Sequence, residues 1–113
     1  MKIQIRFRGF KGSAALRAHV LRRVEFQLSR FGHQLKSVVV RVADINGPKG
    51  GLDMQCQVTA FGPRIGTSTL AELSGNAYTA VDLAVDRVSR AIARELERNR
   101  TWKMGRSLRR AAA

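Results

Sequence analysis

Thiols are nearly absent: Cys56 is the only cysteine among 113 residues, so no intrachain disulfide forms and no cysteine-rich zinc site can be assembled. Histidine is scarce as well, and His19 and His33 lack the spacing of metal ligands. No apolar run approaches the roughly 18 residues of a membrane span. Residues 1–6 alternate in polarity, unlike the apolar block of a secretory signal. No paired-carboxylate cleft and no nucleophile with its base is legible, so the chain is not expected to be an enzyme. These absences predict a cytoplasmic protein that takes no metal, cofactor or small-molecule ligand and does not enter a membrane. Negative charge is scarce beside positive charge. Eight acids face 21 Lys and Arg, a net charge of +13. Such self-repulsion is relieved by a polyanion, nucleic acid first and an anionic membrane surface second.

What is present suffices for one core. The hydrophobic fraction is 44%, ordinary for a globular domain of this length. No internal repeat and no long linker divides the chain. Its charge is unevenly spread: residues 1–50 carry +9, residues 51–86 carry −3 and residues 87–113 carry +7.

Residues 2–8 alternate, with Ile3, Ile5 and Phe7 on one face and Lys2, Gln4, Arg6 and Arg8 on the other, which predicts a strand with one buried side. Ser13 is placed to cap a helix whose Leu16, Val20, Val24, Leu28 and Phe31 recur at helical spacing, with Gly32 as a left-handed C-cap. Val38, Val40 and Val42 oppose Arg41 on a second strand. Residues 46–51 have the composition of a turn, and they lack the Lys-Ser or Lys-Thr of a phosphate loop after Lys49. Leu52, Met54, Cys56, Val58 and Ala60 point inward on a third strand, and Gly62-Pro63 leads to a fourth at about 64–70. A long helix then runs to roughly Asn99. The predicted fold is α+β: a two-layer β-α-β-β-β-α arrangement with a four-stranded mixed sheet and two helices packed on one face. The first two strands are expected to be parallel and the others antiparallel. Residues 1–100 make the domain and residues 101–113 a basic flexible tail.

The second helix carries the chemistry. Tyr78, Val81, Val85, Val88, Ile92 and Leu96 form its apolar arc. Arg87, Arg90, Arg94 and Arg98 fall within roughly 80° of one another on the opposite side, with Asp82, Asp86, Glu95 and Glu97 on the flanks. A row of guanidiniums without interleaved carboxylates is unfavourable unless an anion meets it, and the planar arginine fork grips phosphate at two points. On the first helix Arg22 faces outward, with Arg23, Arg30 and His19 on one flank and Glu25 as the only acid. His19 is expected to be a bystander without an acid beside it, and Tyr78 and Cys56 to pack in the core. Trp102 has two readings, folding back onto the helix or stacking on a base. Arg6, Arg8 and Arg41 on the uncovered sheet face either extend the footprint or deter edge-to-edge aggregation.

The stretch from Gly75 through Tyr78-Thr79-Ala80-Val81-Asp82 and Asp86-Arg87 to Arg90 resembles the second helix of the ribosome hibernation factors. This is the hibernation-promoting factor and ribosome-associated inhibitor A family, also called sigma-54 modulation proteins. The strand from Gly50 to Val58 and the element order agree, so the resemblance covers about residues 1–100. It implies a domain similar to double-stranded RNA-binding domains that lodges in the small ribosomal subunit near the messenger and transfer-RNA sites and silences ribosomes in stationary phase or stress. The implied partners are the small subunit and its rRNA, contacted through Arg22, Arg23, Arg30, Arg87, Arg90, Arg94 and Arg98. Two departures stand out. Gly75-Asn76 replaces the acid that opens the family's helix, and no C-terminal dimerisation domain follows, so a monomer is expected off the ribosome. A general structured-RNA-binding or ribosome assembly module, and a protein-interaction modulator of transcription, remain as other readings.

Overall fold

Side-chain alternation becomes four strands, each with one face turned inward. The computed structural model describes the backbone of residues 1–45 and 53–112 and the side chains of residues 1–45 and 53–99. In chain order the elements are β1 (Lys2–Arg8), α1 (Ala14–Leu28), a 3-10 segment (Ser29–Gln34), β2 (Ser37–Asp44), β3 (Met54–Gly62), β4 (Gly66–Ser74) and α2 (Ala77–Ala112). The sheet runs β1-β2-β3-β4, parallel between β1 and β2 and antiparallel thereafter. This is the mixed-sheet α+β architecture expected from the periodicities.

The core is a valine-rich layer. Val38, Val40 and Val42 of β2 and Cys56, Val58 and Ala60 of β3 are fully buried. Above them lie Leu16, Val20, Val24 and Leu28 of α1 and Ala80, Val81, Ala84, Val85, Val88 and Ile92 of α2. Burying each of the larger side chains contributes roughly 1.5–3 kcal/mol. Both helix starts are capped. Ser13 Oγ accepts from the Leu16 N–H at 2.9 Å, as its position predicted. Asn76 Oδ1 accepts from Tyr78 N–H at 2.8 Å and Thr79 N–H at 3.4 Å, taking the place of the missing acid.

Several boundaries differ from the sequence expectation. α1 ends at Leu28, not Gly32, and the chain continues as a 3-10 segment that kinks at Gly32 with φ 56°. That positive φ costs glycine nothing, so the residue type was informative although the helix stops earlier. β4 starts at Gly66 and reaches Ser74, because the turn consumes Pro63 to Ile65 and Gly66 itself turns at φ 65°. The α2 backbone stays helical to Ala112, through the residues assigned to a tail. Lys, Arg, Met, Leu and Ala favour helix there and no proline interrupts, so propensity sustains what apolar periodicity did not signal. Tyr78 is 39% exposed instead of core-packed, since it lies in the first turn of α2. Residues 46–51, Leu52 and the side chain of Trp102 lie outside the described residues. Among those described, no helix is long and apolar enough to cross a membrane.

Two outcomes follow from this packing. Leu28→Ala should lower unfolding stability by about 2–5 kcal/mol in a denaturant titration, because a fully buried side chain leaves a cavity. Burial pushes the Cys56 thiol from 9.0 up to about 12, so the folded protein keeps it protonated where the unfolded chain would ionise. Its contribution to stability is therefore complete below pH 9 and is lost as pH rises towards 12. Ellman's reagent at pH 8 should leave native Cys56 unlabelled and react promptly once the protein is denatured.

Candidate nucleic-acid interface

The two helices are joined by polar contacts at two levels. Near the start of α2, Asp82 Oδ1 receives His19 Nε2 at 2.7 Å, and the Tyr78 ring stands edge-on to the imidazole at 5.0 Å. Arg23 Nε lies 3.1 Å from the same carboxylate oxygen but makes no hydrogen bond, so that contact is coulombic. Two turns further on, Ser89, the one buried polar side chain of the described core, accepts from Arg30 Nη2 at 2.7 Å and donates to the Gln27 carbonyl at 3.5 Å. These contacts fix the rotation of each helix about its axis. The apolar stripes then face the sheet, and the remaining arginines face solvent side by side.

His19 is therefore not the bystander that the sequence suggested. Its acid, Asp82, comes from the other helix, 63 residues along the chain.

The expected site residues take distinct positions. Arg30, Arg87, Arg90 and Arg94 converge, with Leu70, Ala91 and Ala93, on one open concavity of about 630 Å³. Arg30 also lies over the Phe31 ring at 4.6 Å, which holds its guanidinium in place. Arg22 and Arg23 line a separate hollow of about 580 Å³ with Glu25 and Phe26. Arg98 belongs to neither and stands further along α2, exposed.

The helix arginines are not free of carboxylates, as the flanking acids had suggested they would be. Arg87 Nη1 meets Glu72 Oε1 of β4 at 2.5 Å, Arg90 Nη2 meets Asp86 Oδ2 at 2.5 Å, and Arg98 Nη2 meets Glu95 Oε2 at 2.9 Å. Two of the partners reach along one helical turn. The third arrives from a strand that no helical spacing can reveal. All three arginines are at least half exposed, so each pair is worth about 0–1 kcal/mol in water and exchanges readily for a phosphate. Arg22 and Arg94 make no ion pair among the described residues.

Sequence reasoning overlooked Phe26. It is 79% exposed on α1 beside Arg22 and Arg23. Its signal was available, since it stands about 200° from Val24 on a helical wheel and so off the buried stripe. Ser89, hidden inside an otherwise apolar arc, was overlooked too. No group of three or more His, Cys, Asp or Glu among the described residues could hold a metal ion.

Fold and site define a two-layer α+β domain whose helix layer presents clustered arginines. The chain belongs to the family described as Sigma 54 modulation protein / S30EA ribosomal protein, whose model matches residues 3–100. A search of curated proteins finds no match. Among solved structures, the chain is similar to a ribosomal subunit interface protein from Coxiella burnetii, at 19% identity and TM-score 0.68, covering 83% of this chain and 96% of that one. It is likewise similar to the Protein Y N-terminal domain from Thermus thermophilus, at 21% identity and TM-score 0.67, covering 83% and 98%. At such identities the structural likeness establishes the fold alone.

Removing the shared carboxylate tests the helix clasp. Asp82→Ala should lower stability by about 1 kcal/mol, as expected of partly exposed charged contacts. In a double-mutant cycle with His19→Ala the two losses should fall short of additivity.

Proposed function

We propose that this protein binds the small ribosomal subunit through its rRNA, near the messenger and transfer-RNA sites, and silences ribosomes in stationary phase or stress. The observation that carries the proposal is the convergence on one concavity of Arg30, from the 3-10 segment after α1, with Arg87, Arg90 and Arg94 of α2. Membership of a family whose description includes a ribosomal protein supports it. So does the likeness to a ribosomal subunit interface protein. The protein acts by occupancy. Arginine forks take phosphate oxygens in pairs, and each exposed carboxylate partner yields to a stronger polyanion. Work of this kind places the protein in the cytoplasm.

The family description also names sigma 54 modulation, a reading under which the protein would bind neither RNA nor ribosomal subunits.

Gradient co-sedimentation with purified small subunits separates the two. The expected result is a stoichiometric band with the subunit and loss of cell-free translation; protein left at the top of the gradient would refute the proposal. About six neutralised phosphates give a log–log salt slope near −5 on duplex RNA and near −4 on single strands. Arg90→Glu combined with Arg94→Glu should weaken subunit binding at least tenfold while thermal unfolding stays near wild type. Undiminished binding would mean that another face makes the contact.

A further inference from the structure

The sheet has a second face, and its charge is less compensated than that of the helices. Side chains alternate along each strand, so Lys2, Arg6 and Arg8 of β1 and Arg41 of β2 point away from the core and are exposed. The pairing register sets Arg6 directly beside Arg41, with Gln57 and Ala71 completing the row across β3 and β4. Neighbouring strands lie about 4.8 Å apart, so these two like charges oppose each other at close quarters. No strand position on this face is acidic, and no ion pair joins Arg6, Arg8 or Arg41 to a carboxylate among the described residues. The helix layer, by contrast, sets Glu25, Asp82, Asp86, Glu95 and Glu97 among its arginines, and Glu72 of β4 reaches Arg87.

Protection of an exposed edge does not account for this arrangement. β1 is an edge strand, where charge deters aggregation. Arg41, however, lies on β2, inside the sheet, where no edge needs guarding. A glutamate at either position would guard an edge equally well without repulsion.

We infer that the uncovered sheet face, centred on Arg6, Arg8 and Arg41, is a second RNA-binding surface that holds an RNA segment distinct from the one at the helices. The inference rests on the reading of the chain as an RNA-binding protein. A helix layer about 10–12 Å thick separates the two faces, more than the Debye length of about 8 Å at physiological salt. Each face therefore neutralises its own phosphates. The surface suits a single-stranded segment, since Gln55, Gln57 and Thr59 offer hydrogen bonds and Phe61, 46% exposed, offers a ring for stacking.

The test compares wild type with Arg6→Gln/Arg41→Gln and with Arg6→Lys/Arg41→Lys, using a 20-nucleotide oligouridine, purified small subunits and vesicles containing phosphatidylglycerol. The glutamine pair should bind both RNA probes at least tenfold more weakly and reduce the salt slope by about 1.4 on single strands. It should melt at or above the wild-type temperature, because like-charge opposition is relieved. The lysine pair should keep the wild-type slope. Unchanged affinity and slope in the glutamine pair, or wild-type binding to vesicles but not to RNA, would overturn the inference. If Arg90→Glu/Arg94→Glu loses subunit binding while the glutamine pair retains it, the proposed function stands and the second surface falls. If wild type ignores subunits but binds oligouridine, the ribosomal proposal fails and the oligouridine slope alone decides the second surface.

Discussion

One constraint organises the molecule: a four-stranded sheet buries a single face beneath two helices. Val38, Val40 and Val42 on a central strand have nowhere else to go, and their burial obliges α1 and α2 to lie on the same side. Once the apolar stripes of both helices are committed to that surface, their rotation is nearly fixed. The clasps at Asp82 and Ser89 remove what freedom remains. Every charged side chain then inherits its position from the core, and the arginines of two sequence-distant helices end up on neighbouring outer surfaces.

That arrangement resolves an apparent conflict within the helix layer. Its arginines are abundant, yet Arg23, Arg87, Arg90 and Arg98 have carboxylate neighbours. In the unbound protein such pairs quiet the repulsion within a chain of net charge +13. Because they are solvent-exposed, these pairs are weak and cost little to break. Arg23 differs. It is tucked against Asp82 between the helices, so its charge serves the helix clasp more than the outer surface. The sheet face follows another logic, holding Arg6 and Arg41 abreast with no ion pair to either among the described residues.

Much of the fold was legible in the residues. Alternation placed the inward side chains of β1 and β2, the 3.6-residue period placed Leu16, Val20, Val24 and Leu28, and Ser13 marked the start of α1. Periodicity failed where another factor governed. The end of α2 depended on helix propensity, the end of α1 on the 3-10 geometry around Gly32, and the start of β4 on a turn that absorbed Ile65. For the candidate site, the outward positions of Arg22, Arg90, Arg94 and Arg98 were legible because a helical wheel gives direction. The partners of Arg23 and Arg87 were not, because a wheel gives no information about neighbouring elements.

The division between the two kinds of knowledge is physical. Residue order by itself determined which elements form, which face of each is apolar and how much positive charge the chain must accommodate, since all three depend on local period and composition. Only the tertiary structure decided that Glu72 answers Arg87, that Asp82 serves His19 and Arg23 together, and that Arg6 lies beside Arg41. Those are meetings between residues 15 to 63 positions apart. They are set by strand register and helix rotation, which the packed core establishes and no local pattern encodes.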